Sequence, residues 1–149
     1  ESMQSSVWVR VAQAGDAGST VPVASSRTTK MVAQVLVYSG TDPGAPVAAV
    51  VSVGETGKSS AHQTPLVSTA TDSWVVSLWS NKSSSTTGWS APTGVPTRLY
   101  LGTSGSGRVT TLAADSGGPV GSPTYGGLTA VASQTGSMAA MWSIALTQG

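Results

Sequence analysis

The sequence predicts an all-β protein, an antiparallel β-sandwich of jelly-roll type, and three observations predict it. Apolar residues alternate with period two over several strand-length segments, most clearly at 30–38 (KMVAQVLVY) and 73–82 (SWVVSLWSNK). Clusters of Gly, Pro, Ser and Asp separate these segments, as in SGTDPGAP at 39–46 and SGSG at 104–107. No segment carries a convincing 3.6-residue apolar repeat of the kind an amphipathic helix needs.

The segment 73–82 is the densest block of burial. Trp74, Val76 and Leu78 fall on one side of an extended chain, with Val75, Ser77 and Trp79 on the other, so it reads as a central strand covered on both faces. Ahead of it, 6–12 (SVWVRVA) reads as a first strand. Residues 20–24 read as a short edge strand interrupted by Pro22, which has no N–H for a ladder. Residues 30–38 read as a second strand buried on both sides, and 48–53 as another apolar strand. The polar stretch 54–64 reads as a mobile loop, and 80–94 as the longest stretch without regular pattern. Segments 97–103 and 108–115 form a hairpin through SGSG, and 125–134 with 137–147 form a final pair.

At 149 residues the chain is one domain, residues 1–149, large enough for its own hydrophobic core. It begins at Glu1 and reads as a piece of a longer protein. A net charge of +1, with basic residues scattered, supplies neither field nor stripe for nucleic acid or an anionic membrane surface. The longest apolar runs, 47–53 and 138–146, are strand-sized and too short to insert in a bilayer. Without Cys and with one His, the usual Cys- or multi-His zinc sets are excluded, and no cofactor is expected. Six acids spread singly give no local carboxylate pair, and calcium at Asp16 or Asp42 would lack any DxDxDG-type spacing.

One constellation invites a catalytic reading. DSGGP at 115–119 resembles the GDSGGP signature of chymotrypsin-like proteases, and Ser60-Ala61-His62 resembles the end of their TAAH signature. The alternative function is therefore a small serine hydrolase in which His62 accepts the Ser116 proton and Asp72 orients the imidazole. Ala114 stands where the signature has its first Gly, and Asp72 follows His62 by only ten positions. The plainer reading is a strand ending at Asp115, with Asp115 and Ser116 capping backbone donors of a Gly-Gly-Pro turn. His62 alone, in a polar stretch, reads as a surface residue.

The aromatic residues say more than the charges. There is no Phe, but there are five Trp. Trp74 and Trp142 lie within apolar strands and read as core, whereas Trp79, at a strand end, and Trp89, in a Ser- and Thr-rich stretch, are either packed down or platforms for a sugar ring.

The segments VWVRVAQAGDAGSTV, SWVVSLWSNKSSSTTGWSAPTGV, RVTTLAADSGGPV, YGGLTAVA and MWSIAL together resemble a β-sandwich module of actinobacterial origin. Such modules occur in secreted or surface proteins and in virion proteins, particularly tail proteins, of phages that infect those bacteria. The resemblance implies a non-catalytic structural or attachment module with an extracellular or virion location. The expected partners are other chains of the assembly, with an oligomer as one form of it, and, from the aromatic reading and not from the resemblance, cell-envelope glycan at Trp79 and Trp89. The resemblance also implies that strands normally precede the VWVRVA segment, leaving an edge for another chain or another part of the structure to complete.

Overall fold

The computed structural model describes residues 2–149. Its organising element is β4 (Trp74–Lys82), where β-branched and aromatic side chains point alternately to both sides and nearly all are buried or half-buried. Four antiparallel neighbours extend it into a five-stranded sheet of order β1-β10-β4-β7-β6, formed with β1 (Val47–Glu55), β6 (Thr97–Gly102), β7 (Val109–Asp115) and β10 (Met138–Leu146). β6 and β7 form the hairpin expected from SGSG.

The inner face of this sheet packs on two smaller ones. β2 (Ser59–Gln63), β9 (Thr129–Gly136) and β5 (Trp89–Ser90) make one of order β2-β9-β5, and β3 (Val67–Ser68) pairs with β8 (Thr124–Tyr125). Trp79, Met141, Leu112 and Ala130 meet in the core between the layers, and Val75, Ala145 and Val67 form a second cluster beside it. The all-β, antiparallel, sandwich-like class expected from the sequence is therefore present. The final pair is not: β9 and β10 belong to different sheets, and the chain changes layer at Ser137, whose N–H donates to the Lys82 carbonyl at 2.9 Å.

The largest departure from expectation lies in the first 46 residues. Segments 6–12, 20–24 and 30–38 are not strands; among the described residues of this stretch the structure has a short 3-10 turn at Ala14–Asp16 and an isolated bridge from Thr41 to Gln148. Alternation survives without pairing. Val32, Gln34, Leu36 and Tyr38 are half-buried, while Met31, Val35 and Val37 are 45%, 66% and 84% exposed. Val7, Leu36 and Tyr38 lie against Val76, Ile144 and Leu146 on the outer face of the large sheet, together with Trp74, Leu78 and Trp142. A period of two thus records an extended backbone laid across a sheet face, and such a backbone need not join a ladder. Among the described residues, segments 2–12 and 29–39 make no backbone-to-backbone hydrogen bond. Side chains pin them instead: Trp142 Nε1 donates to Ser5 Oγ at 2.9 Å, Lys82 Nζ to the Ser2 carbonyl at 3.2 Å, and Lys30 Nζ to the Ser104 carbonyl.

The polar stretch 54–64, expected to be a loop, contains β2, because alternation there brings His62 inward opposite Ala130. Trp79 is the largest fully buried side chain, so Trp79→Ala is expected to cost about 3–5 kcal/mol through lost packing and a residual cavity. Urea unfolding of the two proteins measures it; a loss below about 1 kcal/mol would place the core elsewhere.

Candidate functional site

Two polar clusters sit at the ends of the buried layers, one around His62 and one around Asp115.

His62 is 1% exposed, contrary to its reading as a surface residue. Its Nδ1 lies 2.7 Å from Glu55 Oε2 at the end of β1, and its Nε2 lies 3.3 Å from Asn81 Nδ2 on β4. The amide N–H2 of Asn81 can only donate, so the network assigns Nε2 as acceptor and Nδ1–H as donor to Glu55. Asn81 Oδ1 accepts from Thr86 Oγ1 at 3.4 Å, and the His62 carbonyl accepts from Trp79 Nε1 at 3.0 Å. This chain of bonds ties β1, β2 and β4 together. Gly136 lies so close that a Cβ there would sit 2.2 Å from Asn81 Nδ2, so the position excludes any side chain.

Trp89 borders this cluster. It is half-buried, with its ring centroid 5.6 Å from that of His62 at an interplanar angle of 52° and its Nε1 donating to Thr110 Oγ1 at 3.0 Å. It lines an open hollow of about 610 Å³ with Ser60, Ser90, Ser133, Gln134 and Thr135, and no charged side chain takes part. Trp79 is 0% exposed and lies in the core. Of the two tryptophans expected to meet sugar, Trp79 therefore presents no ring to solvent, because its indole fills the space between the sheets. Only Trp89 borders an open surface.

The second cluster is built on the DSGGP turn. Asp115, the last residue of β7, is completely buried and receives Arg98 Nε at 2.6 Å, Arg98 Nη2 at 2.9 Å, Tyr38 Oη at 3.0 Å and the Gly117 N–H at 2.9 Å. Burial pushes the Asp115 carboxyl upward, but the hydrogen bonds from Arg98, Gly117 and Tyr38 and the charge of Arg98 outweigh it and hold the group below the usual carboxylate range. Burial, and then the adjacent Asp115 charge, drives the Tyr38 phenol well above its ordinary value. Ser116 Oγ donates to the Gly118 carbonyl at 2.6 Å and accepts from the Val75 N–H at 3.2 Å. Gly117 has φ of 71°, and a Cβ there would meet Pro96 Cγ at 2.8 Å. Asp115 caps a donor of the turn, as the plainer sequence reading has it, whereas the donor that Ser116 caps is Val75 of β4 and its own hydroxyl donates into the turn.

The alternative triad does not assemble here. The ring nitrogens of His62 face Glu55 and Asn81, Ser116 is bonded to its own turn and to β4, and Asp72 lies in the turn before β4 with φ of 66°. Among the described residues no group of three or more His, Cys, Asp or Glu gathers as for a metal ion. Asp16 instead pairs with Arg10 at 2.6 Å, and Asp42 Oδ1 accepts the Gly44 N–H at 2.8 Å. No described helix is long and apolar enough to cross a membrane. The roles of Tyr38 and Arg98 were not legible in the sequence, since they lie 77 and 17 positions from Asp115. The one usable signal was an acid placed in an apolar strand end, which requires partners.

No family model, curated protein or solved structure matches the chain.

Because the folded Asp115 carboxyl releases its proton more readily than the unfolded one, its stabilisation is fully present above the unfolded value of about 4 and is lost as pH falls through the folded value. Asp115→Asn is therefore expected to lower Tm at pH 7 and to flatten the acid limb of the Tm–pH profile below about pH 4. A parallel limb in both proteins would show that other carboxylates set it.

Proposed function

We propose that this chain is a non-catalytic structural and attachment module, a component of a phage virion, in particular its tail, or of an actinobacterial cell surface. It acts by contact at an extracellular or virion location. The observation that carries the reading is the extended N-terminal arm. Among the described residues, eight of the fifteen large apolar side chains that are exposed belong to the first 38 residues: Trp8, Val9, Val11, Val21, Val23, Met31, Val35 and Val37. An apolar surface concentrated on one segment is characteristic of a contact surface. The groups that a serine hydrolase would need are engaged in structural hydrogen bonds, which favours contact over bond-making.

A second contact is supported by the uncharged hollow beside Trp89. Hydroxyl and amide groups next to the exposed part of an indole suit a neutral saccharide, so cell-envelope glycan is the proposed ligand there.

Two measurements test these statements. Binding to purified cell-wall glycan is expected to weaken about tenfold or more in Trp89→Ala, the loss of roughly 1.4 kcal/mol or more; unchanged binding would remove the hollow from the account. A fluorophosphonate probe is expected to leave the folded chain unlabelled, and labelling that disappears in Ser116→Ala would overturn the contact reading altogether.

A further inference from the structure

We propose that His62 is a positioning residue for the hollow beside Trp89, and that uptake of a proton by its imidazole orders that hollow for a neutral saccharide. The inference rests on the glycan reading of the hollow and names what regulates it.

The hydrogen bonds make the case first. With Nε2 accepting from Asn81 Nδ2 the ring is neutral, and Thr86 Oγ1 then has one proton for two acceptors, Asn81 Oδ1 at 3.4 Å and the Gln134 carbonyl at 3.1 Å. One of those acceptors goes short. A protonated imidazole donates from both nitrogens, so Nε2–H would meet the Asn81 amide N–H2, donor against donor. Half a turn of that amide removes the conflict, because it interchanges N and O within the space that Gly136 leaves. Nε2–H then donates to Asn81 Oδ1, Asn81 Nδ2 donates to Thr86 Oγ1, and Thr86 gives its proton wholly to the Gln134 carbonyl. Every donor along the row has its own acceptor, and the row ends on a residue that lines the hollow.

The surroundings of the ring make the case next. His62 is buried, but the Glu55 side chain that takes Nδ1–H is 33% exposed, so it supplies both a counter-charge and a route for protons from solvent. The Trp89 ring centroid lies 5.6 Å from that of the imidazole, within the roughly 6 Å at which a cation attracts an aromatic face. A charged imidazole therefore draws Trp89 inward while the amide row fixes Gln134. Of the elements packed around the ring, β5, β9 and β10 contain no acidic or basic residue, and His62 is the one such residue in β2. β1 contributes Glu55 alone, and β4 contributes Lys82, whose Nζ donates to the Ser2 carbonyl. β7 contributes Asp115, which Arg98 and Tyr38 occupy, while Arg108 donates to the Thr86 carbonyl at 2.7 Å and Lys58, ahead of β2, is exposed.

An NMR titration of the chain from about pH 8 to about pH 5, the range over which an imidazole ordinarily changes charge, is the test, and it needs no saccharide. His62 is the one histidine of the chain, so its ring signals are unambiguous. The Trp89 indole N–H and the Gln134 and Thr135 amides are expected to shift along the same pH profile as that ring. Glu55→Gln, which keeps a partner for Nδ1 and removes the counter-charge, is expected to move the whole profile to lower pH. Thr86→Val is expected to uncouple the Gln134 amide and leave Trp89 following the ring. Ring signals that stay constant across the range, or that titrate while Trp89 and Gln134 stay still, would overturn the inference. Purified cell-wall glycan is expected to bind about fivefold or more tighter at about pH 5.5 than at about pH 8. Equal binding at both would overturn the inference and leave the glycan reading standing. Absence of binding at either, with the three sets of signals moving together, would overturn the glycan reading and leave the coupling of His62 to the hollow in place.

Discussion

β4 is apolar on both sides, so neither face can meet water, and the architecture follows from covering each by a different device. On the inner face Trp79 and Val75 are covered by the small sheets, whose strands are rich in Ala, Ser and Thr and leave room between the layers for the single large indole. Among the described residues no second sheet covers the outer face. Val76 and Leu78, with Ile144 and Trp142 from β10, are covered by extended chain from the N-terminal arm. A regular sheet would fix such a cover by a ladder. Here it is fixed by side-chain hydrogen bonds at a few points, from Trp142, Lys82, Lys30 and Tyr38.

Asp115 is where those requirements meet. Its carboxylate is buried at the end of β7, beside Val76 of β4, and a buried charge is tolerated only when its lone pairs are occupied. The occupants come from three places: Arg98 on the edge strand β6, Gly117 in the following turn, and Tyr38 at the end of the arm. One acid thus joins edge, turn and arm. Its neighbour Ser116 accepts the N–H of Val75, which fixes the start of β4 against the same turn. The residues that resemble a protease signature hold together the entry to the central strand. At the far end of β4, Asn81 and His62 do the corresponding work between the layers, with Gly136 leaving them room.

Much of this was legible in the sequence. The two-faced β4, the β6–β7 hairpin and the capping turn at Asp115 follow from local pattern, because alternation and turn chemistry act over a few residues. What was not legible is non-local. Residues 30–38 carry a strand's alternation, yet whether an extended segment enters a ladder or lies across a face depends on which edges are free, and period alone does not encode that. His62 looked exposed because its neighbours are polar; those neighbours face solvent, while the imidazole's partners arrive from Glu55 and Asn81. Trp79 and Trp89 looked alike as candidate platforms. The register of β4 against β10 and β7 sends Trp79 into the core between Met141 and Leu112, and Trp89, on a two-residue strand, borders the hollow.

Hydrogen exchange on the chain tests the central claim most directly, since it reads ladder membership residue by residue. Amides of β4 and β10 are expected to exchange only through global unfolding, while those of 31–38 exchange close to the rate of an unstructured chain, although their side chains lie against the sheet. Slow exchange throughout 31–38, or early exchange in β4, would contradict the account of a central strand covered by unladdered chain.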